Sequence, residues 1–181
     1  MPNVQHSSAS QLWYTPTDVI EMARAVLGGI GLDPASDATA NRTVKAGIFL
    51  THSGENFRLW PHGSSVWLNP PGGVKKGRCI QENESVPALF WKALTDYRAE
   101  GLLRHAVFLA FSMEALHVTQ RYAVSMMQFP LCIPSKRLRF VSPDGEKNSP
   151  THGSALIYVP GSVDHTADFI RVFSALGACK P

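Results

Sequence analysis

The stretch Val66-Trp67-Leu68-Asn69-Pro70-Pro71-Gly72-Gly73 decides the fold of this chain. Its first three residues form an apolar run that is typical of a buried strand in a parallel sheet. The two prolines end that strand, because a proline has no N–H to donate to a central ladder. The Asn69 carboxamide is therefore expected at the carboxyl end of the strand, which is the edge where open α/β sheets bind ligands.

Strand and helix patterns alternate on both sides of this stretch. Thr15-Pro16-Thr17-Asp18 has the composition of a helix start, with Thr15 as the cap, and Gly28-Gly29 ends the helix. Apolar runs predict strands at 30–32, 46–50, 106–111, 131–133, 138–141 and 155–159, and apolar stripes predict helices at 86–97, from 112, and at 167–176. This alternation indicates an α/β fold, and the late strands joined by a loop predict an antiparallel edge on a mostly parallel sheet.

The composition limits the domain organisation and the location of the protein. A chain of 181 residues is long enough for one domain, predicted over 13–181, after a polar arm at 1–12 that we expect to be disordered. No apolar run approaches the ~20 residues of a membrane span, and the N-terminus lacks a signal-peptide core. The three cysteines form no CxxC pair, and the histidines lack ligand spacing. These features predict a cytoplasmic protein with no metal site, and the net charge of +3 is compatible with nucleic-acid binding.

Several pieces of the sequence together resemble one family. Asn69-Pro70-Pro71 matches the catalytic motif of amino-methyltransferases that use S-adenosylmethionine, and the wider pattern is similar to the phage-type DNA N6-adenine methyltransferases. The pieces occur in the family's order over roughly residues 13 to 160: Trp13-Tyr14-Thr15-Pro16, Leu32-Asp33-Pro34-Ala35-Ser36, Ala40-Asn41-Arg42, Val44-Lys45-Ala46, Trp60, Val66 to Pro71, and Arg137-Leu138-Arg139-Phe140. The chain departs from the family at Gly72, where an aromatic residue is expected.

The resemblance implies a compact Rossmann-like methyltransferase fold and methyl transfer from S-adenosylmethionine to the exocyclic amine of adenine in DNA. Asn69, Pro70 and Pro71 would form the catalytic motif. The cofactor would contact Asn69 and two segments, Tyr14-Thr15-Pro16 and Asp33-Pro34-Ala35-Ser36, with the Asp33 carboxylate near its ammonium group. A phage-encoded enzyme would act in the host cytoplasm.

Further residues are candidates for contact with DNA. Phe111 is our candidate for the missing aromatic, because it ends a neighbouring strand at the same sheet edge. Two basic clusters follow the motif strand and a late strand, and they can contact phosphates: Lys75, Lys76 and Arg78, and Lys136, Arg137 and Arg139.

Other interpretations of these residues stay open. The same scaffold can modify cytosine N4, a nucleotide or a protein amide, or it can bind nucleic acid without catalysis. The Asn-Pro-Pro stretch also suits a simple strand-terminating turn, and the lysines suit a solvated surface. No acidic residue for the cofactor ribose is evident, since Glu55 is the only carboxylate between Asp37 and Asn69. Only 35 residues separate Asp33 from Asn69, which predicts a shortened sheet edge.

Overall fold

The computed structural model describes residues 13–75, 84–120, 124–142 and 152–181. The predicted arm at 1–12 lies outside these ranges, as do residues 76–83, 121–123 and 143–151. The elements in chain order are α1 (Thr17–Leu27), β1 (Leu32–Asp33), α2 (Asn41–Val44), β2 (Ile48–Phe49), β3 (Ser64–Leu68), β4 (Val74–Lys75), β5 (Glu84–Ser85), α3 (Val86–Ala99), β6 (Leu103–Ala110), α4 (Met113–Thr119), β7 (Leu131–Pro134), β8 (Ala155–Pro160), α5 (Thr166–Phe173) and β9 (Gly177–Lys180). Short 3-10 helices span Phe57–Leu59 and Met126–Gln128.

A seven-stranded sheet in the order β2-β1-β3-β6-β8-β7-β9 forms the centre of the molecule. The pairs β2/β1, β1/β3 and β3/β6 are parallel, and the pairs β6/β8, β8/β7 and β7/β9 are antiparallel. The strand directions confirm the predicted α/β class and the mostly parallel sheet. The antiparallel strands are not confined to the edge, because β8 lies between β6 and β7.

Helices cover both faces of the sheet and create two hydrophobic cores. Val66 and Leu68 point into the core beneath α3 and α4, and Trp67 points into the core beneath α1 and α5. All three side chains are at most 1% exposed. Burial on both faces explains why this strand is an unbroken apolar run rather than an alternating one. Each such side chain stabilises the fold by about 1.5–3 kcal/mol.

The start of α1 differs from the prediction. Pro16 occupies the cap position and the helix begins at Thr17, with no side-chain cap bond. Thr15 is therefore not the helix cap, because its hydroxyl is used elsewhere, as described below. The predicted end is confirmed: Gly28 adopts φ +64°, a left-handed conformation that glycine tolerates best.

Two late segments were predicted wrongly. Residues 138–141 form no strand: Leu138 and Phe140 are buried like strand residues, but the ladder is reduced to a single antiparallel bridge between Val141 and Tyr14. The terminal helix ends at Phe173 instead of 176, and the strand Gly177–Lys180 follows. This strand lies at the sheet edge, and its pairing with β7 cannot be recognised from so short a pattern.

The edge of the sheet beyond β1 is short, as expected from the chain length. Between β1 and β3 the described chain forms α2, the edge strand β2 and one 3-10 helix. Between β3 and α3, the strands β4 and β5 pair with each other outside the main sheet. Within the described ranges, none of the helices combines the length and the apolar character that crossing a membrane requires.

Candidate active site at the carboxyl edge of the sheet

The fold brings three of the predicted segments to one edge of the sheet. β1 ends at Asp33, β3 is followed by Asn69, and β6 is followed by Phe111. These strands are parallel neighbours in the sheet, so their carboxyl ends lie at the same edge. Residues that are far apart in sequence therefore meet where α/β proteins bind ligands.

The Asn69 carboxamide is oriented by the segment that precedes α1. Its Nδ2 donates to the Trp13 carbonyl oxygen at 3.3 Å and to the Thr15 hydroxyl at 3.1 Å. In the part of the chain that the structure describes, no hydrogen bond to its Oδ1 is found. Pro70 is buried beside it, whereas Pro71 is exposed. Because both N–H groups are engaged by the protein, the oxygen is the atom left for a ligand.

The segment at residues 13–16 is itself fixed on two sides. The Tyr14 N–H donates to the Val141 carbonyl at 2.8 Å, and the Val141 N–H donates back at 3.0 Å. The Tyr14 hydroxyl donates to Asp37 Oδ2 at 3.1 Å, while Asp37 Oδ1 accepts from the backbone N–H groups of Thr39 and Ala40. Asp37 was not among the predicted site residues. It has the pattern of a local turn residue, but its contact with Tyr14 spans 23 positions and no local pattern indicates it.

The loop at residues 33–36 carries a buried carboxyl group. Asp33 is 3% exposed, and burial raises its pKa to about 7, although an N–H from Ala35 at 3.1 Å opposes that rise. The Ser36 hydroxyl lies near enough to moderate the Asp33 pKa further, but it forms no hydrogen bond of ordinary geometry with any described group. A buried hydroxyl without a partner beside a buried carboxyl group is an arrangement that a cationic donor would satisfy.

The loop at residues 51–60 packs directly on this carboxyl loop. A Cβ on Gly54 would lie 1.6 Å from the Pro34 carbonyl oxygen, so a larger residue cannot fit there. The Trp60 indole N–H donates to the Gly54 carbonyl at 2.9 Å. Trp60 is 3% exposed, which makes it a core residue that fixes this loop and does not line an open surface.

The Phe111 ring lies against Gly72. A Cβ on Gly72 would be 3.2 Å from Phe111 Cζ, which is tighter than an ordinary contact. Phe111 is half-buried, and its carbonyl accepts a hydrogen bond from the Ser154 hydroxyl at 3.2 Å. The ring thus occupies the space into which the side chain of an aromatic residue at position 72 would extend.

The predicted basic residues divide into three groups. Lys75 pairs with Glu55 at 2.8 Å, an exposed contact that lowers the pKa of the Glu55 carboxyl. Lys76 and Arg78 lie outside the described residues. Arg137 and Arg139 are exposed on a segment whose intervening Leu138 is buried, and that segment leads to the Val141 bridge with Tyr14. The Arg137 and Arg139 side chains therefore belong to a strip of chain that is anchored to the site.

A cleft of about 330 Å³ opens beside the site. Thr15 belongs to its wall and also contacts Asn69, so the cleft and the Asn69 carboxamide share one side chain. The remaining wall is formed by Tyr14, Thr17, Thr39, Ala40, Arg42, Thr43, Val141 and Ser142.

A second group of buried polar side chains lies near the amino end of β6. His105 is fully buried; its Nε2 donates to the Leu27 carbonyl at 3.2 Å, and its Nδ1 accepts from the Tyr158 hydroxyl at 3.3 Å. That hydroxyl accepts from the backbone N–H of His165, and His165 Nδ1 donates to the Val26 carbonyl at 3.2 Å. Burial lowers the pKa of His105 to about 4 and raises that of Tyr158 to about 12. This histidine cluster (His105, Tyr158 and His165) satisfies the last carbonyls of α1.

The carboxyl-edge site consists of one carboxamide, one buried carboxyl group and an aromatic ring. In the four described ranges, no three His, Cys, Asp or Glu side chains are grouped closely enough to hold a metal ion. Comparison of the chain with protein-family models, with curated proteins and with solved structures gave no match.

Proposed function

We propose that this chain is an S-adenosylmethionine-dependent DNA methyltransferase that acts on the exocyclic N6 amine of adenine. The observation that carries the proposal is the orientation of the Asn69 carboxamide. Its Nδ2 is bound to Trp13 and Thr15, which leaves Oδ1 at the carboxyl edge of β3. The resemblance of the ordered sequence pieces to the phage-type family supports the same assignment.

The chemistry requires acceptors that change the geometry of an amine. The lone pair of an adenine amine is delocalised into the ring, so the nitrogen is a poor nucleophile. Asn69 Oδ1 and the Pro70 carbonyl would accept its two N–H groups, which favours a tetrahedral nitrogen with a localised lone pair. The same acceptors would stabilise the positive charge that develops on nitrogen, and the proton can then leave to water.

The residues around Asp33 fit the proposed cofactor. When bound, S-adenosylmethionine supplies a methyl group activated by its sulfonium. Asp33 and Ser36 would hold the ammonium group, which would give the Ser36 hydroxyl a donor and favour the ionised form of Asp33. Residues 14–16 would form the opposite wall, with Thr15 linking the cofactor wall to Asn69.

The topology is compatible with this proposal. The resemblance implies a mostly parallel sheet with antiparallel late strands, and the antiparallel β8 and β9 are compatible with it, although β8 lies inside the sheet and not at its edge. The shortened edge beyond β1 would leave a compact single domain over 13–181, working in the cytoplasm on host or phage DNA.

The DNA would present a flipped base to the site. A base inside a duplex is out of reach, so it must rotate into a pocket and stack on an aromatic surface. Phe111 would supply that surface in place of an aromatic residue at position 72. Phosphates flanking the base would contact Arg137 and Arg139 and the loop that carries Lys75, Lys76 and Arg78.

The glycine at position 72 favours a second candidate, in which the methyl group is transferred to a substrate other than adenine. Without a side chain at that position, the pocket can differ in shape from the family's, which would suit cytosine N4, a nucleotide or a protein amide. A relative that only binds nucleic acid would retain the basic residues but bind no cofactor.

Calorimetry with S-adenosylmethionine and nucleoside analysis of treated DNA test the proposal. Wild-type protein and Asn69→Ala should both bind the cofactor, and only wild type should convert unmethylated DNA to N6-methyladenine. If the product were N4-methylcytosine, cytosine would replace adenine as the methylated base. An absence of cofactor binding by wild type would overturn the enzymatic assignment.

A further inference from the structure

Two cysteines face each other across the edge of the sheet, where Cys132 of β7 is opposite Cys179 of β9. In the same register, the Ser135 N–H donates to the Leu176 carbonyl at 3.0 Å, which marks a hydrogen-bonded pair. Hydrogen-bonded and non-hydrogen-bonded pairs alternate along an antiparallel ladder. The cysteines lie three positions away, so they form a non-hydrogen-bonded pair.

Side chains approach each other most closely at such a position. Opposite Cα atoms of a non-hydrogen-bonded pair are ~4.5 Å apart, and disulfides form over Cα separations of about 4.4–6.8 Å. Both thiols are reduced in this structure. The strand geometry therefore brings Cys132 and Cys179 into bonding range without a change of register.

The two thiols differ in their surroundings. Cys132 is fully buried, and its Sγ donates to the Phe173 carbonyl at 3.4 Å. Burial, with Cys179 as the next cause, raises the pKa of the Cys132 thiol to about 12. Cys179 is half-buried and packs on the same core. Cys179 is consequently the thiol that a reagent in solution reaches first.

We propose that Cys132 and Cys179 are a site of reversible oxidation and form a cross-strand disulfide with a small-molecule disulfide as the oxidant. The Cys179 thiolate attacks one sulfur of the oxidant, which forms a mixed disulfide and releases one thiolate. Cys132 then loses its proton and displaces the second thiolate from Cys179. The two protein thiols thereby lose two protons and two electrons, and the oxidant is reduced to two thiols.

The bond would fasten the last strand of the chain. β9 is the terminal strand of the sheet and pairs with β7 alone among the described strands. A link between positions 132 and 179 closes a long loop, and such links stabilise a protein mainly by constraining its unfolded chain. Oxidation should raise Tm by roughly 5–10 °C.

The test uses the full chain with Cys79→Ser, which removes the third cysteine. The protein is incubated with oxidised glutathione, and the remaining thiols are trapped with iodoacetamide in denaturant and located by peptide mass analysis. We expect a peptide pair linked through Cys132 and Cys179 within one chain, and a rise in Tm that dithiothreitol reverses. The matched control, Cys79→Ser with Cys179→Ser, should show neither change.

Two results would overturn the proposal. One is alkylation of both Cys132 and Cys179 after the incubation. The other is glutathione that remains on Cys179, since a Cys132 thiol within reach would displace it. The alkylation map of the Cys79→Ser protein decides between these outcomes even if the Cys179→Ser control fails to fold.

Discussion

The two groups of buried polar side chains in this molecule differ in whether their hydrogen bonds are complete. In the histidine cluster, each ring nitrogen of His105 has a partner, and the Tyr158 hydroxyl is bonded twice. At the carboxyl edge, Ser36 Oγ is without a partner among the described groups, and Asp33 has a raised pKa. Both groups are buried, so exposure does not explain the difference.

The comparison separates a structural role from a candidate functional one. Buried polar groups in native proteins are nearly always satisfied, because an unmet donor or acceptor costs about 1–3 kcal/mol. The histidine cluster follows this rule by completing the last carbonyls of α1. Both groups contain shifted pKa values, so the incomplete hydrogen bonding at the carboxyl edge is the feature that indicates a ligand site. Substitutions at the carboxyl edge should therefore change activity, and substitutions in the cluster should change stability.

Asn69→Ala should have the largest effect on activity. The bonds made by Oδ1 strengthen as charge develops on the amine, so the rate constant should fall on the order of 10²–10³-fold while cofactor affinity stays near wild type. Single-turnover methylation and calorimetry measure the two quantities. Asn69→Asp is a more specific variant, because it places a carboxylate oxygen against the Trp13 carbonyl oxygen in place of an N–H donor. We expect this variant to lose most activity as well. Full activity in Asn69→Ala would remove this residue from the catalytic site.

Asp33→Asn should weaken binding of the cofactor and stabilise the folded protein. The folded pKa of about 7 lies above the usual 3.8, so the folded state binds more protons and stability falls as pH rises from about 4 to 7. An amide avoids that loss, and the gain at pH 8 should be on the order of 2–4 kcal/mol. Urea unfolding at pH 8 measures the gain, and calorimetry measures a loss of affinity of about tenfold or more. Lower stability of this variant than of wild type at pH 8 would contradict the raised pKa of Asp33.

His105 should produce the opposite pH dependence. Its folded pKa of about 4 lies below the usual 6.5, so the unfolded state binds the additional proton and stability is lost as pH falls from about 6.5 to 4. In wild type this loss opposes the Asp33 effect over the same window. Asp33→Asn should expose it as a decline of about 3 kcal/mol on acidification, and Asp33→Asn with His105→Gln should show a nearly flat profile. Methylation by His105→Gln should match wild type at a temperature where the variant is folded, and a selective loss of activity would break the comparison.

The two groups also differ in how far the sequence alone could predict them. Asn69, Asp33 and Phe111 were predictable because each follows an apolar run, and parallel strands place such positions at one edge. The Thr15 cap was predicted wrongly, since a local pattern cannot show that Asn69, 54 positions away, takes its hydroxyl. The hydrogen bonds of the His105 ring could not be predicted from the sequence either, because its partners come from α1 and β8. Long-range polar contacts depend on packing that no periodicity encodes.

Phe111→Ala should reduce activity by an amount typical of one stacking contact. Base–aromatic stacking contributes ~1–3 kcal/mol, or roughly a 5- to 150-fold change in kcat/KM for DNA. Trp60→Ala should instead lower stability, because Trp60 is buried and holds the Gly54 carbonyl. Gly72→Tyr should be poorly tolerated beside the native ring, which lies 3.2 Å from the new Cβ position, and Phe111→Ala should partly relieve it. Equal activities of Phe111→Ala and wild type would exclude Phe111 as the stacking surface.

Thr15→Val should give the smallest effect and the most specific test of the carboxyl edge. Valine has nearly the same shape as threonine but cannot accept the Asn69 N–H, so the carboxamide would keep only its longer bond to Trp13. One neutral hydrogen bond contributes about 1 kcal/mol, which predicts a fall in kcat of roughly fivefold. Thr15→Ser keeps the acceptor and should retain most activity, which separates the hydrogen bond from packing. The Asn69 side-chain amide resonances should shift in Thr15→Val and stay in place in Thr15→Ser. This NMR measurement does not require methyl transfer. Unchanged Asn69 resonances in Thr15→Val would therefore refute the hydrogen bond between Thr15 and Asn69, even if the methylated substrate is not adenine.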